Sequence, residues 1–385
     1  MTRTNKVIYV ISSMTMMLMI GAVYTYSVFR PHVQSLFDIS ETLSGIPYMT
    51  SLFFYAISMM ITGRILTLKN HMKLSVIGLC LIILGWVVSS YAPSYIVFVL
   101  SYGVLIGTGV GIVYGIPIKG IQTLYPERSG FYTGLILLGF GLSTLVVAPL
   151  SAYLIGQMGI YTTFRMFGLA YVLMLIPLIY GMRLPLDIEL KQTQSIHAVQ
   201  QFPFKLPRLY SYFVVATTIG LMMIGLSYSI GVTRYGFSVW HVAFSMSLFA
   251  LMNGLARPLF GYFMDRKGFT WSASLSMGLW ILASLIAIIN QGRYLSLFMV
   301  AYSLYWFNLG AWLAMIPATI KLKYPKHEYS KRYGFVFTGY GIGAIIGTLL
   351  SGFIMDLFGE TTYLYLFIGL LAAFLITELY LKQRK

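Results

Sequence analysis

Apolar stretches of 18 or more residues recur along the whole chain, and each is long enough to cross a hydrocarbon core of about 30 Å. The spacing predicts twelve spans, at 7–29, 46–66, 73–91, 96–122, 130–155, 162–183, 209–234, 240–265, 271–290, 294–320, 331–356 and 361–382. Of 385 residues, 58% are hydrophobic and only 9% charged, whereas a soluble domain carries about 25% charged residues. So little charge cannot cover a water-facing surface, and most of the exterior must face lipid. The first apolar run is too long for a signal peptide, lacks a small-residue cleavage site and reads as a retained helix. The largest polar gap, 184–208, splits the spans into two sets of six: 1–183 and 209–385 form two helical bundles about a central loop.

The net charge of +16 suggests nucleic acid, but its placement points elsewhere. Twenty of the 26 Lys and Arg fall on the side of the termini; among them are Arg3, Lys6, Arg64, Arg128, Lys191, Lys267 and the group from Lys321 to Arg332. Arg30, Arg165, Arg234 and Arg293 alone occupy the other side, and Lys119 and Arg257 lie within spans. This asymmetry is the positive-inside rule and predicts cytoplasmic termini.

The halves repeat one another. Gly134, Gly139 and Gly141 match Gly334, Gly339 and Gly341 at an offset of 200, Pro117 matches Pro317, and Gly63 matches Gly261 at 198. Parallel six-helix repeats place a substrate site near the midplane between halves. Gly103, Gly107, Gly111 and Gly115 recur every four residues along one face of the fourth span, a pattern for close helix packing.

GYFMDRKG, Gly261 to Gly268, resembles the signature loop of the major facilitator superfamily, G-x-x-x-D-R-x-G. That resemblance implies that Asp265 and Arg266 help to latch the cytoplasmic side. The first-half copy has Thr67 where Asp is expected. A narrower resemblance, to the oxalate–formate antiporter and related monocarboxylate carriers, rests on six segments. They are YTYSVFRP (Tyr24 to Pro31), GVGIVYGI (Gly109 to Ile116), YPERSG (Tyr125 to Gly130), GFGLS (Gly139 to Ser143), NGLARPLFGYFMD (Asn253 to Asp265) and KRYGF (Lys331 to Phe335). It implies a carrier of small organic anions working by alternating access, with Arg257 binding the carboxylate.

Arg257 lies eight residues before Asp265, about 12 Å from the helix end. At that depth an arginine needs a partner or a watery cavity, and its guanidinium suits a carboxylate through two hydrogen bonds. The competing reading is that it snorkels to the surface or clamps a neighbouring helix end; the resemblance favours binding. Tyr340 stands where the antiporter type has a second cation, so a monocarboxylate or a partly apolar anion is expected rather than oxalate. Phe140 is its counterpart in the first half, and the two are expected to face each other across the pocket. Lys119 is a further candidate cation, with an interfacial, structural role the favoured reading. Tyr24, Tyr26, Tyr114, Trp306 and Trp312 are candidate pocket aromatics, against the competing reading of helix packing.

None of the ten acidic residues lies near the centre of a span, which favours anion exchange, or uptake in which the substrate carries the proton. Cys80 is the one cysteine, no histidine pair has metal spacing, and no nucleotide-binding or hydrolase motif is present. An enzyme, a cofactor and a metal are therefore not expected. The expected protein is a monomeric, multi-pass carrier in the inner or plasma membrane, its partners a small organic anion and the lipid bilayer. The alternative within transporters is an efflux carrier for metabolites or drugs; a membrane sensor ranks below both for want of a soluble domain.

Overall fold

The computed structural model describes residues 3–67, 69–183 and 205–381, and all regular structure in them is helical. Residues 184–204, with Asp187, Glu189, Lys191 and His197, lie outside the described residues, as do Lys382, Arg384 and Lys385. Four helices open the chain: α1 (Thr4–Phe37), α2 (Ile46–Ile65), α3 (His71–Ser89) and α4 (Tyr95–Leu124).

Next comes one helical run of 53 residues, Ser129–Gly181. At 1.5 Å per residue it would be about 80 Å long, more than twice a bilayer core. It is broken at Gly159, whose φ of +77° only glycine adopts readily. The chain turns there, giving α5 (129–158) and α6 (160–181). After α7 (Leu206–Arg234), a second run, Val239–Asn290, is broken in the same way at Gly268 into α8 (239–267) and α9 (269–290). Then follow α10 (Leu295–Lys323), α11 (Lys326–Phe358) and α12 (Thr361–Leu381). The ten hydrophobic helical segments thus make twelve spans. With an even number of crossings, both ends of the chain lie on one side, called here the terminal side.

Two expectations need correction. α1 does not stop at 29 but continues past a 3-10 segment, Gly21–Thr25, and through Pro31 to Phe37, where Asp38 in the left-handed conformation ends it. α11 begins at Lys326 rather than 331, so the basic group from Lys321 to Arg332 extends the ends of α10 and α11 rather than forming a loop.

The repeat holds in three dimensions. A Cβ on Gly134 would meet Pro258 Cα of α8 at 2.6 Å, and one on its counterpart Gly334 would meet Met60 Cα of α2 at 3.0 Å. Gly141 faces Gly254, and Gly341 faces Ala56. Gly139 lies against α1, and Gly339 against α7. Gly159 and Gly359, again 200 residues apart, both have positive φ. Of the α4 ladder, Gly103, Gly107 and Gly111 pack on α2 while Gly115 meets nothing within 4 Å. Outward faces keep exposed apolar side chains such as Ile176, Trp240, Ile289 and Leu370, as a lipid solvent requires.

Candidate substrate site

Because glycines at Gly134, Gly141 and Gly254 let α5 and α8 meet backbone to backbone, Arg257 of the second half sits directly on the first. It is fully buried. Its Nη1 donates to the Leu137 carbonyl of α5 at 2.8 Å, and its Nη2 to Asn253 Oδ1, one turn away, at 3.1 Å. The guanidinium lies 5.3 Å from the ring centre of Phe140, and Nε has no hydrogen-bond partner among the described residues. No described carboxylate pairs with it; the ion pairs Arg208–Glu378 and Arg332–Glu328 belong to the terminal-side rim. Arg257 therefore reaches across to the other half and not to the membrane surface. An unneutralised buried charge of this kind is costly unless dipoles, a π face or a ligand compensate it.

Around Arg257 is a packed cluster of aromatic rings. Tyr24, on the 3-10 segment of α1, meets Phe140 edge-on at 5.1 Å, and its hydroxyl is hydrogen-bonded to that of Tyr340 in α11. Tyr114 contacts Phe140 at 5.3 Å. Tyr55 of α2, a residue the sequence patterns did not single out, contacts Tyr114, Phe337 and Tyr340 at 5.3, 5.0 and 5.6 Å. Phe337, also missed, stacks on Tyr340. Phe140 and Tyr340 thus lie on either side of Tyr24 and Tyr55 rather than against each other.

Four other candidates lie elsewhere. Lys119 donates to the Leu66 carbonyl at 2.6 Å, satisfying the end of α2, in keeping with the structural reading. Tyr26 donates to the Ser44 carbonyl at 2.7 Å, stacks on Tyr48 and, outside the ring cluster, lines the cavity that opens away from the termini. The Trp306 indole donates to Ser227 of α7 at 2.9 Å, and Trp312 stacks on Trp280 of α9. Both tryptophans are packed inside the second half.

The two sides of the ring cluster differ. Away from the termini, a cavity of about 260 Å³ opens between α1, α2 and α7, lined among others by Arg30, Gln34, Tyr48, Tyr228 and Thr233, with Tyr24 at its wall. On the terminal side the halves are shut. The Asp265 carboxylate lies at the N-terminus of α5 against Gly130, where the backbone N–H of Phe131 donates to it, so the positive helix end faces a negative charge. Lys321 donates to the Pro126 carbonyl at 2.6 Å and Gln122 to the Tyr329 hydroxyl at 2.9 Å. A Cβ on Gly261 would meet the Gly130 carbonyl at 2.7 Å, so the signature glycine permits the contact. Arg266 lies over the ring of Tyr262 on its own helix.

The chain is 22% identical over 339 residues to the uncharacterized MFS-type transporter YhjX of Escherichia coli strain K12, covering 85% of this chain and 82% of that one. It is 24% identical over 316 residues to the oxalate:formate antiporter of Oxalobacter formigenes, covering 78% and 71%. Among solved structures, the human organic anion transporter MFSD10 (TETRAN) superposes with a TM-score of 0.72 at 13% identity, covering 98% of this chain and 100% of that one. The family model of the Major Facilitator Superfamily matches residues 7–271 and 209–385. This chain is a transporter of the major facilitator superfamily and not an enzyme.

Proposed function

We propose that the protein carries small organic carboxylates by alternating access, with Arg257 as the anion-binding group. The carrying observation is a fully buried arginine at the crossing of the halves that, among the described residues, has no carboxylate partner and an open Nε donor. A substrate carboxylate would supply the missing negative charge and accept from two guanidinium donors. With Lys119 engaged at the end of α2 and Tyr340 in α11, the ring cluster holds, among the described residues, one cation among six rings. That suits a monocarboxylate or a partly apolar anion better than oxalate. Tyr24, Tyr114, Phe140 and Tyr340 would enclose it; Asp265 would hold the terminal side shut. The two halves, 1–183 and 209–385, would rock about the site with the termini cytoplasmic, in a monomer of the inner or plasma membrane.

A thermal-shift screen of the purified protein against small carboxylates tests this, since a ligand of the folded form raises apparent stability by mass action. One carboxylate should stabilise the wild type but neither Arg257→Lys nor Arg257→Ala. If both variants respond as the wild type does, Arg257 is structural. Efflux of metabolites or drugs then becomes the better reading, supported by the aromatic walls alone.

A further inference from the structure

Asn253 meets the Arg257 guanidinium with a neutral acceptor. It is buried on α8, one turn before Arg257, and every polar atom of its amide is directed. Its Nδ2 donates to the Trp306 carbonyl of α10 at 2.7 Å, so its Oδ1 must face Arg257, where it accepts at 3.1 Å. A flipped amide would set donor against donor and acceptor against acceptor. A Cβ on Gly310 would meet the Asn253 backbone carbonyl at 2.1 Å, so α10 packs directly on α8 at this residue.

Among the described residues, the side chains around Arg257 offer it no proton-exchanging partner near neutral pH. The titratable side chains around it are phenols: Tyr24 of α1, Tyr55 of α2, Tyr114 of α4, and Tyr333 and Tyr340 of α11. Phenols titrate at about 10 when unperturbed. α5 presents Leu137 and Phe140, and α10 presents Trp306 and Gly310.

Resting on the carboxylate reading of the site, we infer that Asn253 is a positioning residue that orients Arg257 with a neutral acceptor. The carrier accordingly takes its carboxylate as an anion with no proton of its own. An aspartate in the same place would fit the volume but change the chemistry. One oxygen would pair with Arg257 while the other faced the Trp306 carbonyl, and an arriving substrate carboxylate would put two anions on one guanidinium. The aspartate would have to take up a proton for the substrate to bind.

The test is calorimetric titration of the purified full chain with acetate, pyruvate and benzoate, run at about pH 7 in buffers of different ionisation heat. The wild type should bind with no net proton uptake and with an affinity that is flat from about pH 6 to 8. Asn253→Asp should take up close to one proton per ligand and weaken about tenfold for each unit rise in pH. Asn253→Ala, which removes the acceptor without adding a charge, should bind about tenfold more weakly at every pH. Proton uptake of about one by the wild type overturns the inference without needing either variant to fold, as does a pH-flat affinity for Asn253→Asp. If the wild type binds none of the three anions, the carboxylate reading falls and this inference with it.

Discussion

The halves cross twice, α5 on α8 and α2 on α11, and the two crossings share a scaffold but differ in chemistry. Each brings a glycine-rich helix onto its partner at matched positions: Gly134 and Gly141 on Pro258 and Gly254, Gly334 and Gly341 on Met60 and Ala56. At the offset of 198, Met59 is the counterpart of Arg257 and Tyr55 that of Asn253. One crossing therefore holds a charged pair of polar side chains, the other a thioether and a ring. The latches differ in the same sense. Asp265 reaches over to α5, whereas Thr67 turns back on its own loop, exchanging hydrogen bonds with Asn70 at 2.7 and 3.2 Å. The duplicated backbone contacts hold the halves together at both crossings, and the charge is concentrated at one.

The sharpest way to break this comparison is to make the crossings alike. Arg257→Met, which copies the first half, should lower carboxylate binding about a hundredfold, the value of a charge-assisted contact. Titration of the ligand found in the thermal screen would show it, and an unchanged affinity would put the site elsewhere. Gly141→Ala and Gly341→Ala compare the scaffolds. The first Cβ would meet Gly254 Cα at 2.5 Å, which is backbone and cannot give way locally; the second meets the Ala56 methyl at 2.9 Å. Gly141→Ala should be the more destabilising, by about 1–3 kcal/mol, read from denaturation in detergent.

Smaller effects are expected at the latch. Asp265→Asn removes a charge from a helix N-terminus, worth about 0.3–1 kcal/mol. It should raise the accessibility of a cysteine placed at Gly115 to water-soluble reagents from the terminal side, in a background lacking the exposed Cys80. Thr67→Asp should lower that accessibility if the two latches are equivalent. Of similar size is Tyr24→Phe, which deletes one hydroxyl contact to Tyr340, about 1 kcal/mol. It should open the ring cluster to reagents from the opposite side, and no change there would mean that the tyrosine pair is not the wall between cavity and cluster.

The number of spans and the repeat were legible because hydrophobicity and glycine spacing are local signals. The offset of 200 in the sequence became the same pair of contacts in each half. Arg257 stood out because a charge deep in a span has few explanations. Its partners were harder. Leu137 contributes a backbone carbonyl, which no side-chain pattern marks, and Phe337 reads as one more apolar helix residue. Two further residues carry a signal in the sequence. Asn253 lies four residues before Arg257, on the same helix face, and Tyr55 is its counterpart through the repeat. Trp306 and Trp312 misled because a tryptophan in a span suits packing as well as binding. Which way each indole points was decided by Ser227 and Trp280, far away in sequence.

The Arg257 charge at the crossing also has an electrical meaning. Empty, the centre of the protein carries one positive charge; with a monocarboxylate seated it carries none. Shifting a full charge through 100 mV is worth about 2.3 kcal/mol. Swapping one load for another would then be indifferent to membrane voltage. The unloaded return stroke alone would be driven or held back by it, so the voltage would set how long the protein waits empty on each side.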